Sequence, residues 1–145
     1  MSTPSSYSIR PATLADGPAV AGLAAELAQS FAFDRACFDA SYQELIDDDD
    51  ACVLVATAAE QLTGYLLGFK HLTFYANGLV GWVEEILVRS ERRQSGTGRA
   101  LMHSFEDWAA SSGCALVALA TRRAKPFYLA IGYQESATYL RKLTP

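Results

Sequence analysis

Two stretches of this chain hold residue types that could do chemistry together. Val83-Glu84-Glu85-Ile86-Leu87-Val88 sets two adjacent acids in an apolar run, and Arg92-Arg93-Gln94-Ser95-Gly96-Thr97-Gly98-Arg99-Ala100 follows after a short loop. Gly96 and Gly98 allow a backbone to approach a ligand where a Cβ would stand in the way. The spacing of Leu101, Met102, Phe105, Trp108 and Ala109 predicts a helix over Thr97–Ala110. The N–H groups of its first turn have no partner within the helix, and its dipole favours negative charge. Arg92, Arg93 and Arg99 add full charges, so the loop reads as an anion cradle that fits a pyrophosphate. It is not a P-loop, because no Gly-Lys-Ser/Thr follows. Leu101 stands where a dinucleotide-binding fingerprint needs a third small residue. A nucleotide-binding module and a plain strand-to-helix turn are the competing readings of the same glycines.

The elements that must position these residues can be traced along the chain. Tyr7–Arg10 reads as a strand ended by Pro11. Thr13 and Asp16 have the form of a helix start, and apolar residues recur at helical spacing to about Gln29. Phe38–Ile46 is a second helix, and the four acids Asp47–Asp50 form a solvated turn. Ala51–Ala58 and Leu62–Phe74 read as paired strands. Asn77-Gly78 is a tight-turn signal, and Gly81–Val88 the next strand. After the helix at Thr97 come a strand at Cys114–Ala120, a short helix at Ala124–Ala130 and a final strand at Tyr133–Arg141. This order predicts an α/β (α+β) fold, a mixed sheet with helices on both faces.

A length of 145 residues and an apolar share of 50% fit one domain over residues 1–145 with a real core. Mean hydropathy of +0.08 and 19% charged residues exclude disorder as the main state. No apolar run approaches the roughly 20 residues of a membrane span, and the start lacks the pattern of a signal peptide. Cys37, Cys52 and Cys114 show no paired spacing, so they read as reduced, buried thiols of a cytoplasmic protein, with no metal site. Net charge is −4, yet residues 73–145 hold nine basic residues against six acidic ones. That favours a local anion site over nucleic-acid binding.

Arg93-Gln94-Ser95-Gly96-Thr97-Gly98 matches the R/Q-x-x-G-x-G/A signature, and Ala124-Lys125-Pro126-Phe127-Tyr128-Leu129-Ala130-Ile131-Gly132-Tyr133 matches A-x-x-F-Y-x-x-x-G-F/Y. With the opening Ile9-Arg10-Pro11-Ala12-Thr13, the chain resembles the GNAT N-acetyltransferase superfamily over nearly its whole length. The Trp82–Val88 segment is similar to that of the diamine (polyamine) acetyltransferases. The resemblance implies about six or seven strands and a V-shaped splay between the fourth and fifth. Acetyl-CoA would lie in that splay. Leu87 and Val88 would pair with its pantetheine arm, while Arg93, Gln94, Ser95, Gly96, Thr97, Gly98, Arg99 and Ala100 would form its phosphate loop. Arg92, Arg122, Arg123 or Lys125 would reach the 3′-phosphate. Where many relatives carry Asn near the end of the fifth strand, this chain reads Ala120-Thr121-Arg122-Arg123, leaving Thr121 or an arginine to make that contact.

The implied reaction is direct attack of a primary amine, small or on a peptide, in a ternary complex, with no metal. Tyr128 would protonate the departing sulfur. Glu84 would take the amine's proton through a water, with Glu85 in support. Adjacent strand residues face opposite ways, so Trp82, Glu84, Ile86 and Val88 are expected on one face and Val83, Glu85 and Leu87 on the other, with only one acid in the acceptor cleft. Phe31, Phe33, Phe74, Tyr75 and Trp82 could build an aromatic acceptor pocket, and the safer reading for most of them is core. His71 could line the cleft, while His103 falls on a surface. A homodimer is the family habit, and no nucleic acid or membrane partner is expected. The alternative of a different class is a non-catalytic acyl-CoA-binding regulatory module on the same fold.

Overall fold

The computed structural model describes residues 7–28, 31–90 and 95–145. Strand β1 (Tyr7–Pro11) runs through one turn of 3-10 helix (Leu14–Asp16) into α1 (Gly17–Leu27) and α2 (Arg35–Ile46). Strands β2 (Ala51–Ala58), β3 (Gln61–Thr73) and β4 (Gly78–Val88) follow, then α3 (Thr97–Ser111), β5 (Val117–Leu119) and α4 (Lys125–Ala130). The sheet runs β1-β2-β3-β4-β5, antiparallel from β1 to β4. β5 lies parallel to β4, because α3 carries the chain back across the sheet.

The alternation of side chains along the strands divides the core in two. Leu54, Ala56 and Leu66 meet Leu101, Met102 and Phe105 of α3 on one face. Val55 and Tyr65 meet Val20 and Leu23 of α1 and Tyr42 of α2 on the other. Helices therefore cover both faces, as the order of elements predicts.

Three departures from expectation have visible causes. The described sheet has five strands, not six or seven, and residues 133–145 form neither strand nor helix. The start of this tail is held by helix residues rather than by a strand partner. The Tyr133 hydroxyl donates to Glu106 of α3 at 2.6 Å, and Glu135 pairs with Lys125 of α4. β5 itself is three residues long rather than seven. The cysteines also differ from one another, with Cys52 buried, Cys114 half-buried and Cys37 exposed on α2. Cys37 falls in the first turn of α2, whose face toward the core is held by Phe38 and Tyr42 instead.

The third departure is in β4. Leu67 pairs with Glu85, and the next residue, Gly68, pairs with Val83, so Glu84 is the extra residue of a β-bulge. The bulge reverses the alternation. Val83 joins Ile86 and Val88 against the α3 side, and the expected sharing of a face by Val83, Glu85 and Leu87 is broken.

An ion pair secures the entry to α1. Arg10 donates to both oxygens of Asp16, at 2.7 and 2.9 Å, and the Thr13 N–H donates to the same carboxylate at 2.8 Å. The hydrogen bonds from Arg10 are the main cause holding the buried Asp16 carboxyl at about 2, below its ordinary 3.8. A carboxyl whose folded value is depressed stabilises the fold fully above its ordinary value and loses that contribution as the pH falls through the folded one. Urea unfolding is therefore expected to show wild-type stability falling from about pH 5 toward pH 2 more steeply than in Asp16→Asn, which starts lower at neutral pH. Parallel curves for the two proteins would contradict this.

Candidate active site

The β4–β5 ladder consists of three pairs, Gly81↔Val117, Trp82↔Ala118 and Val83↔Leu119. Past Val83, β4 continues for five residues to Val88 with β3 alone beside it, so the two parallel strands part at Glu84. This is the expected V, and the bulge stands at its apex.

A cavity of about 850 Å³ opens at the parting. Glu84, Glu85 and Tyr128 all line it. Both acids thus face one cavity, contrary to the expectation that strict alternation would admit only one. The bulge is the reason, since it removes the half-turn between neighbours that a regular strand imposes. Glu84 is exposed and accepts the indole N–H of Trp82 at 2.7 Å. Glu85 is half-buried and accepts the Tyr65 hydroxyl at 2.7 Å. Burial, and then the neighbouring Glu85 charge, push the Tyr65 phenol well above its ordinary value, so it remains a donor. Tyr65 was not singled out from the sequence. Its only signal there was a lone polar-tipped aromatic within an apolar strand pattern.

Tyr128 comes from the single turn and a half of α4. Its ring is wedged edge-on between Phe127 and Tyr133, at 5.0 and 5.9 Å between centroids. Burial raises its phenol above the usual value, keeping it protonated. A buried, protonated hydroxyl at a cavity wall can donate to a group that gains negative charge there.

The start of α3 has the geometry of an anion site. Gly96 caps it at φ +89°, a left-handed conformation that favours glycine. A Cβ on Gly98 would meet nothing closer than Phe127, at 3.5 Å. Packing within the chain does not demand glycine there, so the bare position leaves backbone open to a ligand. The Thr97 side chain is buried, with its hydroxyl 2.9 Å from that of Ser95. Arg99 is exposed and Ala100 half-buried on the first turn. Arg92, Arg93 and Gln94 lie outside the described residues. Leu87 and Val88 sit on the part of β4 beyond the parting, each anchored in one of the two cores.

Of the remaining candidates, Phe31 and Phe33 line the cavity, as do Thr121, Arg122 and Arg123. Trp82 borders a smaller adjoining cavity of about 170 Å³ that shares Glu84 and Arg122. Phe74 and Tyr75 do not take part. They stand fully exposed or nearly so on the β3–β4 turn, far along the hairpin from the parting. His71 is exposed on the same hairpin and does not line the cavity, and His103 is on the surface of α3. Among the described residues there is no cluster of metal-ligating side chains, and no helix long and apolar enough to cross a membrane.

Comparison with known proteins agrees with this architecture. Solved structures share the fold at low identity. Glucosamine-6-phosphate N-acetyltransferase from Arabidopsis thaliana superposes with a TM-score of 0.85 at 20% identity, covering 97% of this chain and 99% of that one. An aminoglycoside N-acetyltransferase solved in complex with CoA gives 0.86 at 19%, covering 96% and 95%. A ribosomal-protein-alanine N-acetyltransferase from Brucella melitensis biovar Abortus 2308 gives 0.77 at 22%, covering 95% and 99%. No curated protein sequence matches. The profile of the acetyltransferase (GNAT) family matches residues 21–133, and with the parted strands and the glycine-capped helix it shows that the chain belongs to the GNAT acetyltransferase family.

Proposed function

We propose that this chain, acting as a single domain over residues 1–145, transfers an acetyl group from acetyl-CoA to a primary amine on a small molecule or a peptide. The residues fit the thioester substrate: the glycine-capped start of α3 suits its diphosphate, and the edge of β4 at Leu87 and Val88 suits its pantetheine amides. Gln94 to Ala100 supply the main-chain donors, and Lys125 the charge for the 3′-phosphate, since Arg122 and Arg123 line the cavity with the acids.

Glu84 takes a proton from the ammonium through a water, leaving the neutral amine to attack the thioester carbonyl. The C–N bond forms, the C–S bond breaks, Tyr128 gives its proton to the sulfur, and the proton that the acetylated nitrogen loses restores the phenol. Glu85 holds the ammonium beforehand, and Tyr65 is a positioning residue that fixes the Glu85 carboxylate. Most of the acceleration then comes from orientation and from hydrogen bonds to developing charge. The observation that carries this reading is the meeting of two carboxylates and a buried phenol in one cavity at the parting of two parallel strands.

The test pairs calorimetry of CoA binding with thioester cleavage over a panel of amines. Uptake of CoA together with amine-dependent release of free thiol is the expected result. CoA uptake without cleavage on any amine would point to a non-catalytic acyl-CoA-binding module, and no uptake by folded protein would overturn both. Replacing Tyr65 by Phe deletes the hydrogen bond that orients the Glu85 carboxylate. It is expected to raise KM for the amine roughly tenfold while kcat stays within about threefold of the wild type. A purely structural role for the hydroxyl would lower stability without separating KM from kcat in this way.

A further inference from the structure

Within the proposed acetyl transfer, the shape and charge of the cavity narrow the acceptor. We infer that the preferred substrate is a monocationic amine joined to an apolar body of aromatic size, an arylalkylamine rather than a polyamine. The inference rests on the functional reading above.

One wall of the cavity is a ladder of rings. Phe33 lies 5.8 Å from Phe38, and Phe38 stacks on Tyr42 at 5.4 Å and 23°. All three line the same cavity as Glu84 and Glu85. The ladder runs from the buried Tyr42 outward to Phe33, which is 38% exposed, and Phe31, also in the lining, is 69% exposed. Tyr42 presents only its ring, because its hydroxyl is committed to the Thr13 carbonyl at 2.6 Å. Aromatic surface left open in a concave site gains most from an apolar guest that displaces water.

The charges exclude the other common kind of amine. Beyond Glu84 and Glu85, the cavity offers Asp34, whose carboxylate caps α2 by accepting the Cys37 N–H at 2.9 Å. The remaining charged groups of the lining are cationic: Arg122 and Arg123 of the loop after β5, and Arg141 of the tail. For a second ammonium only Asp34 is left among the described lining acids, already engaged by the Cys37 N–H, and Arg122 and Arg123 oppose any further positive charge. One ammonium at the acids and an uncharged ring against Phe33 and Phe38 satisfies both walls.

The experiment compares ethylamine, 2-phenylethylamine and spermidine as acceptors for the full chain with acetyl-CoA. A parallel measurement titrates 2-phenylethylamine by calorimetry into protein saturated with CoA. The expected kcat/KM for 2-phenylethylamine exceeds that for each of the other two by roughly tenfold or more. Phe33→Ser and Phe38→Ala should shrink that ratio. Should Phe38→Ala fail to fold, the more exposed Phe33→Ser carries the comparison. Equal rates on ethylamine, or a preference for spermidine, would overturn the inference while leaving acetyl transfer standing. If no amine is acetylated, the functional reading fails and the calorimetry decides: binding of 2-phenylethylamine that Phe33→Ser weakens supports the apolar site, and its absence overturns it.

Discussion

Replacing Tyr128 by Phe is expected to lower kcat by roughly a hundredfold or more, the usual share of a well-placed general acid. The substitution isolates the hydroxyl. Phe keeps the edge-on contacts with Phe127 and Tyr133 that hold the ring, so folding and CoA affinity should stay near those of the wild type. Burial holds the phenol above its ordinary value. A phenol is protonated below its titration point, so this group should cause no alkaline loss of activity up to about pH 9. Single-turnover measurement with acetyl-CoA and a good amine, with CoA binding followed separately, checks both statements. A kcat within roughly threefold of the wild type would remove Tyr128 from the mechanism.

The largest effect on stability is expected at Gly68. A Cβ there would lie 2.3 Å from Cε2 of Phe105 and 2.7 Å from Cζ, both far inside contact distance. Phe105 has no room to give way, being fully buried with its ring against Trp108 at 5.4 Å. Gly68 also pairs with Val83 at the bulge, so β3 cannot shift outward without disturbing the parting of β4 and β5. Gly68→Val should therefore cost about 3 kcal/mol or more, through overpacking of a filled core. The double variant Gly68→Val/Phe105→Leu should recover part of that loss, because it removes the clashing ring edge. Thermal unfolding by circular dichroism checks this, and a single variant melting within about 2 °C of the wild type would refute it.

Much of this architecture could be read from residue order because local rules governed it. Ala51–Ala58 is rich in Val and Leu and bounded by acids and a turn, and it forms a strand over those same residues. The apolar stripe of α3 runs in register with its buried side chains Leu101, Met102, Phe105 and Ala109. The glycine-rich entry to α3 was legible because left-handed backbone leaves a mark in composition. Glu84 and Tyr128 stood out as chemistry for similar reasons: a charge in an apolar strand and a phenol in a motif. What escaped depended on partners far away in the chain. The bulge arises from pairing Leu67 with Glu85 and Gly68 with Val83, and nothing in Val83–Ile86 alone announces it. Tyr65 matters because that pairing brings Glu85 to its hydroxyl. The tail reads as a strand by composition, yet Tyr133 and Glu135 find their partners on helices. Phe74 and Tyr75 have the composition of pocket residues and are carried away from the site by the length of the hairpin.

The single surplus residue in β4 also limits how this pair of acids can be moved to another scaffold. The two acids share one opening because of a miscount between neighbouring strands, not because of their identity. Copying Glu84 and Glu85 into an evenly matched strand would turn one of them away. A chimera that keeps both must take Leu67–Gly68 and Val83–Glu85 as one inherited block, with its splice points outside the kink.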